Sequence, residues 1–161
     1  MAKQQKRKAA AGDVATNRQA AFRYNLLERV ECGIVLTGTE VKSMREGGVQ
    51  LKDAYGVVRD GEVWLMGVYI APYGPAAGDN HDPERPRKLL LHRSQIDRLI
   101  GRTRERGLTL VPTRVYFSEP GSRAKVEIAL ARGKDVYDKR EAIRKRETAR
   151  DVERELRESR R

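Results

Sequence analysis

Residues 125–130 read Lys-Val-Glu-Ile-Ala-Leu, and this hexapeptide sets the fold class. Side chains alternate across an extended chain with a period of two. Val126, Ile128 and Leu130 therefore share an apolar face, while Lys125, Glu127 and Ala129 share a wet one. Upstream, Leu108 to Phe117 reads as a partner strand. Its apolar parity switches near Pro112, from Leu108 and Leu110 to Val115 and Phe117. A bulge or an edge position accommodates both the proline and the switch. Residues 54–59 and 62–70 flank Asp60-Gly61, a pair suited to a tight hairpin turn at positive φ. Gly33 to Leu36 and the stretch before it supply a further strand.

Helices are few. Ser94-Gln-Ile-Asp97 has the form of a capping box. Ile96, Leu99 and Ile100 follow as a short apolar stripe, with Gly107 placed as the stop. A second short helix is expected at roughly 39–46. Many short strands with one or two helices indicate a mainly β chain folded as a small antiparallel barrel, and an OB-like barrel fits the length. Between Pro72 and Pro86 lies a loop punctuated by Pro75, Gly78 and Pro83. It ends in Arg85, Arg87 and Lys88, read either as a solvated loop or as a basic rim beside a binding face.

Charge divides the 161 residues into three parts. Residues 1–20 hold five Lys/Arg against one Asp, and residues 131–161 hold twelve against eight Asp/Glu, so each end carries +4 of the net +11. The expected organisation is a disordered basic arm over 1–13, a barrel over 14–131 and a basic tail over 132–161. In the tail, Ala149, Val152 and Leu156 form a thin helical stripe. Glu141 with Lys145 and Glu153 with Arg157 are i,i+4 pairs in the favourable order. Such a stripe buries little against a barrel, so the tail is expected to be disordered or fraying alone and helical on a partner. Charge concentrated at two ends suits arms that reach for a polyanion.

No apolar run approaches the roughly 20 residues that span a bilayer, and the basic start has no apolar segment after it. A cytoplasmic protein without a membrane partner is expected. Cys32 is the one cysteine, so it reads as a small buried hydrophobe. Gly33-Ile-Val-Leu-Thr-Gly38 has the glycine spacing of a phosphate loop, but Thr39 stands where that loop needs lysine. His81 and His92 have no convergent partners in the sequence, so no catalytic residue, metal or cofactor is expected. Tyr24 sits amid Arg18, Arg23 and Arg29, which favours base stacking. Tyr55, Tyr69 and Tyr116 lie within strands and favour packing. The residues alone support a small β-barrel RNA binder with basic arms.

Several strings then resemble one family. Asn17-Arg-Gln-Ala-Ala-Phe-Arg-Tyr24 looks like its opening segment, and Glu31-Cys-Gly-Ile-Val-Leu-Thr-Gly-Thr-Glu-Val-Lys-Ser43 like its most distinctive block. Ile70-Ala-Pro-Tyr73, Arg87-Lys-Leu-Leu-Leu91, Gly107-Leu-Thr-Leu-Val-Pro112, Gly133-Lys134 and Tyr137-Asp-Lys-Arg140 follow in order. Together they resemble the bacterial SsrA-binding proteins, also called small protein B. The resemblance implies an OB-like barrel that binds the tRNA-like domain of transfer-messenger RNA. With elongation factor Tu it would enter stalled ribosomes, its tail helical in the decoding site and the empty messenger channel. It implies RNA-binding roles for Asn17, Arg18, Tyr24, Glu31 and Leu91, with Lys42, Arg45, Lys88 and Lys125 as candidate phosphate contacts. Gly133, Lys134, Tyr137, Asp138, Lys139 and Arg140 match the segment that enters the decoding region. Three positions depart from the family pattern. Cys32 replaces the more usual Ala, Asp135 stands where a second Lys is common, and Tyr137 stands where some members have His. The alternatives are a generic RNA-binding or ribosome-associated barrel without selectivity for that RNA, and an RNA-modifying enzyme.

Overall fold

A computed structural model describes residues 12–119 and 121–159. Residues 1–11 of the expected arm lie outside the described residues, and Asp13 already opens a strand. Nine strands alternate with four helices in the described chain: β1 (Asp13–Thr16), α1 (Ala20–Arg23), β2 (Tyr24–Ile34), α2 (Gly38–Arg45), β3 (Val49–Gln50), β4 (Tyr55–Arg59), β5 (Glu62–Met66), β6 (Tyr69–Ile70), β7 (Arg87–Leu90), α3 (Arg93–Thr103), β8 (Leu108–Phe117), β9 (Ala124–Gly133) and α4 (Val136–Ser159). Seven strands pair antiparallel in the order β1-β8-β4-β5-β7-β2-β9, and β8 also pairs with β9. The six strands from β8 round to β9 therefore close on themselves, and β1 lies outside the ring against β8. Closure removes free edges that would otherwise invite pairing with other chains.

The narrowest seam is β4 against β8, which meet in register at Gly56 and Leu110. A Cβ on Gly56 would stand 2.7 Å from the Leu110 Cβ, so this closure needs a glycine. The Asp60-Gly61 turn forms as expected, with φ of 52° and 72° joining β4 to β5. The expected strand over 62–70 is instead two. Gly67 turns at φ 70° after β5, and β6 leaves the barrel to pair with β3.

Val126, Ile128 and Leu130 are buried, as their alternation predicts. They pack with Val63, Leu65, Leu89, Leu110 and Val115 in the main core. Ala129, assigned to the wet face, is also fully buried. The nearby Ala131 packs with Val111 and Ala20 of α1 in a second, smaller core. Only a small side chain lets this outer face be covered. The parity switch in β8 is a bulge between Pro112 and Arg114. Thr113 is the extra residue, and its hydroxyl donates to the Glu127 carbonyl at 3.1 Å and to its carboxylate at 2.7 Å. Asn17 secures the same bulge. Its backbone N–H donates to the Thr113 carbonyl at 2.7 Å and its amide nitrogen to the Pro112 carbonyl at 3.1 Å.

The helices depart from expectation at their ends. α3 opens at Arg93 rather than at Ser94, because Gln95 accepts the His92 N–H at 3.1 Å. Asp97 pairs with Arg93 at 3.1 Å instead of closing a cap. The helix stops at Thr103, whose hydroxyl donates back to the Leu99 carbonyl at 2.7 Å. Gly107, at φ 84°, turns the chain into β8. α2 begins at Gly38, where Glu40 accepts the Thr37 N–H at 2.8 Å.

Glu40 is fully buried and so is Arg87. Arg87 Nε donates to Glu40 Oε1 at 3.0 Å, and its Nη1 to the Val68 carbonyl at 2.6 Å. Its Nη2 reaches the Pro83 carbonyl at 3.0 Å. Arg85 grips the same carboxylate from the rim with two bonds, at 2.9 and 2.6 Å. The basic rim read at 85–88 is therefore largely internal: two of its three cations hold one carboxylate. Burial by itself would raise the Glu40 carboxyl. The hydrogen bonds from Arg85, Thr37 and Arg87 outweigh it and hold the group below its ordinary range.

Two outcomes follow for stability and reactivity. A carboxylate depressed in the folded state stabilises above its unfolded pKa and loses that contribution as pH falls through the folded one. Glu40→Gln leaves Arg87 buried without its counter-charge, so urea titration at neutral pH should show a loss of about 3–5 kcal/mol. The difference from the parent protein should shrink as pH falls below the carboxylate range. Cys32 donates to the Val126 carbonyl at 3.2 Å, and burial, aided by Glu31, pushes its thiol up to about 12. Alkylation of Cys32 at pH 8 should therefore be slow in the native protein and fast in urea, and equal rates would contradict the burial.

Candidate nucleic-acid interface

The residues singled out from sequence gather in two places on the barrel surface and scatter elsewhere. The first is a groove of about 330 Å³ under α1. Tyr24, at the start of β2, lines it with Asn17, Arg23, Lys52 and Tyr55. The strand position of Tyr55 predicts packing. It is 47% exposed, so its ring is available for stacking. Arg18, Arg23 and Lys52 make no ion pair with a described residue, and all three are exposed. Asn17 is different. Its amide nitrogen is committed to the Pro112 and Leu51 carbonyls, so it holds the β8 bulge and the chain after β3 in place.

The second place is a groove of about 380 Å³ that Glu31, Leu91 and Lys125 border together with Gly33, His92 and Gln95. These residues lie 60 and 34 positions apart, and the pairing of Gly33 with both Lys125 and Leu90 brings them together. Lys125 Nζ donates to Glu31 Oε1 at 2.7 Å, and the Tyr116 hydroxyl donates to Glu31 Oε2. Glu31 thus braces a lysine and a tyrosine. It stays half exposed, and an exposed pair of this kind exchanges partners at little cost. Leu90 is 50% exposed beside Leu91, so this groove has an apolar wall.

Three predicted phosphate contacts lie apart. Lys88 borders a neighbouring groove and is paired with Glu62 at 2.6 Å. Lys42 stands over the Tyr73 ring at 5.5 Å, and Arg45 over the Phe117 ring at 5.9 Å, both on the exposed side of α2. Their charges are placed by aromatic faces and remain open to solvent.

The tail leaves the barrel beside α1. Gly133 pairs with Tyr24 at the end of β9. The Lys134 N–H donates to the Arg23 carbonyl at 3.0 Å, and its Nζ to the Ala21 carbonyl at 2.8 Å. α4 follows and is helical through Ser159, the conformation expected of the tail on a partner. The Glu141–Lys145 pair forms at 3.0 Å and the Glu153–Arg157 pair also forms. Arg146 stacks over Phe22 of α1 at 5.1 Å. Val152 of the apolar stripe is 50% exposed, and Ile143 outside it is 41% exposed. Lys139 and Arg140 project from the first turns; the side chains of Tyr137 and Asp138 lie outside the described residues. No helix among the described residues is long and apolar enough to cross a membrane.

Comparison with known proteins places this geometry in a family. The family model for SmpB protein matches residues 14–158, barrel and tail alike. An SsrA-binding protein of Sulfurihydrogenibium sp. is 56% identical over 140 residues, covering 87% of this chain and 91% of that one. One from Syntrophobacter fumaroxidans is 54% identical over 148 residues, covering 92% and 90%. A solved chain from "tmRNA-SmpB: a journey to the center of the bacterial ribosome" superposes with a TM-score of 0.66 at 47% identity, over 81% of this chain and 94% of that one. With a matching barrel, a matching tail and more than half of the aligned residues shared with such relatives, the chain belongs to the SmpB family.

Proposed function

We propose that this chain binds the tRNA-like domain of transfer-messenger RNA and delivers it to stalled ribosomes for trans-translation. It acts by binding rather than by catalysis. The observation that carries the reading is the family match through both barrel and tail over residues 14–158. The relatives are named for binding SsrA, and the matched structure concerns transfer-messenger RNA on the ribosome. The surface fits this use. Tyr24 and Tyr55 offer rings for unstacked bases, with Arg23 and Lys52 beside them and Arg18 across α1 as exposed cations that have no anionic partner among the described residues. Glu31 and Leu91 supply a hydrogen-bond acceptor and an apolar wall in the second groove.

The tail would act separately. α4 carries many charges and a half-open apolar stripe, and it begins where β9 ends beside the RNA-facing α1. That geometry suits a helix carried into the decoding site and the empty messenger channel while the barrel holds the RNA. Gly133 and Lys134 form the root, and Tyr137, Asp138, Lys139 and Arg140 the first turn to reach the decoding centre. Elongation factor Tu would accompany the delivered complex in the cytoplasm.

Two measurements test the division of labour. A competition titration at near-physiological salt should favour the tRNA-like domain over an ordinary tRNA, and equal binding would leave only a generic RNA binder. Tyr24→Ala and Tyr55→Ala should each cost about 1–3 kcal/mol of RNA affinity with little change in salt slope. Arg18→Gln should lower the log–log slope by about 0.7–0.9. Truncation after Lys134 keeps both bonds to α1. It should preserve RNA affinity while abolishing peptide tagging on stalled ribosomes, and loss of affinity would contradict separate roles.

A further inference from the structure

A third groove, of about 340 Å³, runs along the other side of α1, and of its three arginines only Arg18 has a role in the arrangement above. Arg18, Arg29 and Arg114 border it, with Asn17, Thr113 and Glu127. Arg29 projects from β2 and is 61% exposed, and Arg114 projects from β8 and is 35% exposed. Glu127 lies between them on β9, with only 16% of its side chain exposed. Its carboxylate is taken tightly by the Thr113 hydroxyl at 2.7 Å, but it meets Arg29 and Arg114 only at 3.4 Å each. A charge-assisted bond between guanidinium and carboxylate is normally 2.7–2.9 Å long. The two arginines are thus oriented by Glu127 without being saturated. Arg114 is steadied further by Asp13 at 3.2 Å and by the Tyr116 ring at 4.3 Å.

The position of this groove matters as much as its charge. Asn17 and Ala20 border both it and the tyrosine groove, so only α1 separates the two. On its far side, Glu31 follows Arg29 by two residues on the same face of β2, a rise of roughly 6.8 Å. Glu31 is also the register partner of Glu127. The arginine groove is therefore the ground between the two places described above. A strand that touched both would cross it.

We propose that Arg18, Arg29 and Arg114 form a binding subsite for a backbone phosphate of the bound RNA, with Glu127 as the positioning residue that orients the last two. The inference rests on the RNA-binding reading and adds to it a fixed point that reads the backbone and no base. The planar fork of a guanidinium suits two phosphate oxygens at once, which an ammonium cannot match.

The test uses the full chain and the isolated tRNA-like domain of transfer-messenger RNA, titrated over a range of salt. Arg29→Gln should weaken binding about tenfold and lower the salt slope by about 0.7–0.9. Arg29→Lys should restore the slope but only part of the affinity. Glu127→Gln removes a competing anion and keeps an acceptor for Thr113, so it should steepen the slope. Arg29 is mostly exposed, so thermal melting of both Arg29 variants should match the parent. An Arg29→Gln protein that melts normally and keeps both affinity and slope would overturn the subsite. Equal binding of ordinary tRNA by the parent chain would sink RNA selectivity instead, and the Arg29 slope on that tRNA would still decide the groove.

Discussion

One buried carboxylate organises this molecule. Glu40 ties the start of α2 to the Thr37 backbone, to Arg87 inside β7 and to Arg85 at the end of the proline-rich loop. Arg87 in turn ties β7 to the Val68, Asp82 and Pro83 carbonyls. Three segments distant in sequence, 37–40, the chain at Val68 and 82–87, meet at these two side chains. A charge in such a place is tolerable only because every donor and acceptor around it is used. Among the described residues no buried side-chain polar atom lacks a partner. Loop 72–86 is held shut by the same logic: Asn80 exchanges two hydrogen bonds with the Tyr73 backbone, and His81 bridges Thr39 and the Ile70 carbonyl.

With that corner fixed, the barrel surface is free to carry charge. Cations are spent in three ways. Arg85 and Arg87 are structural. Lys88 and Lys125 are paired on the surface with Glu62 and Glu31, each at modest energy and open to exchange. Arg18, Arg23 and Lys52 have no anionic partner among the described residues. The distinction matters more than the net charge of +11. An unpaired cation on the surface gives its whole field to a polyanion, whereas a paired one must first release its carboxylate.

α1 is short, yet it is where barrel and tail meet. It covers the small core around Ala131 and Val111, and it lies between two grooves. Its carbonyls at Ala21 and Arg23 accept from Lys134, and its Phe22 ring receives Arg146. Tyr24 itself is the register partner of Gly133, at the root of α4. The root of the tail is tied to α1 by one backbone hydrogen bond and one from the Lys134 ammonium.

The sequence by itself determined the periodicities and the punctuation. Strand alternation at 125–130, the turn at Asp60-Gly61, the bulge near Pro112 and the i,i+4 pairs of the tail are local rules, and each appears where the residues put it. The family strings likewise carried the candidate residues, since they name positions without needing contacts. Tertiary structure decided which polar groups were internal. Nothing local distinguishes Arg87, at the bottom of the core, from Lys88 on the surface, because burial depends on the partner that β7 happens to face. The same holds for Ala129, buried on the face that alternation leaves to water, and for Tyr55, exposed at the edge of a groove its own strand could not announce. The start of α3 shifted for a related reason: His92 and Gln95 close its first turn, and Asp97 was more useful to Arg93. Local rules say which face of a strand is apolar. Only the closing of the ring says what that face, and its opposite, will touch.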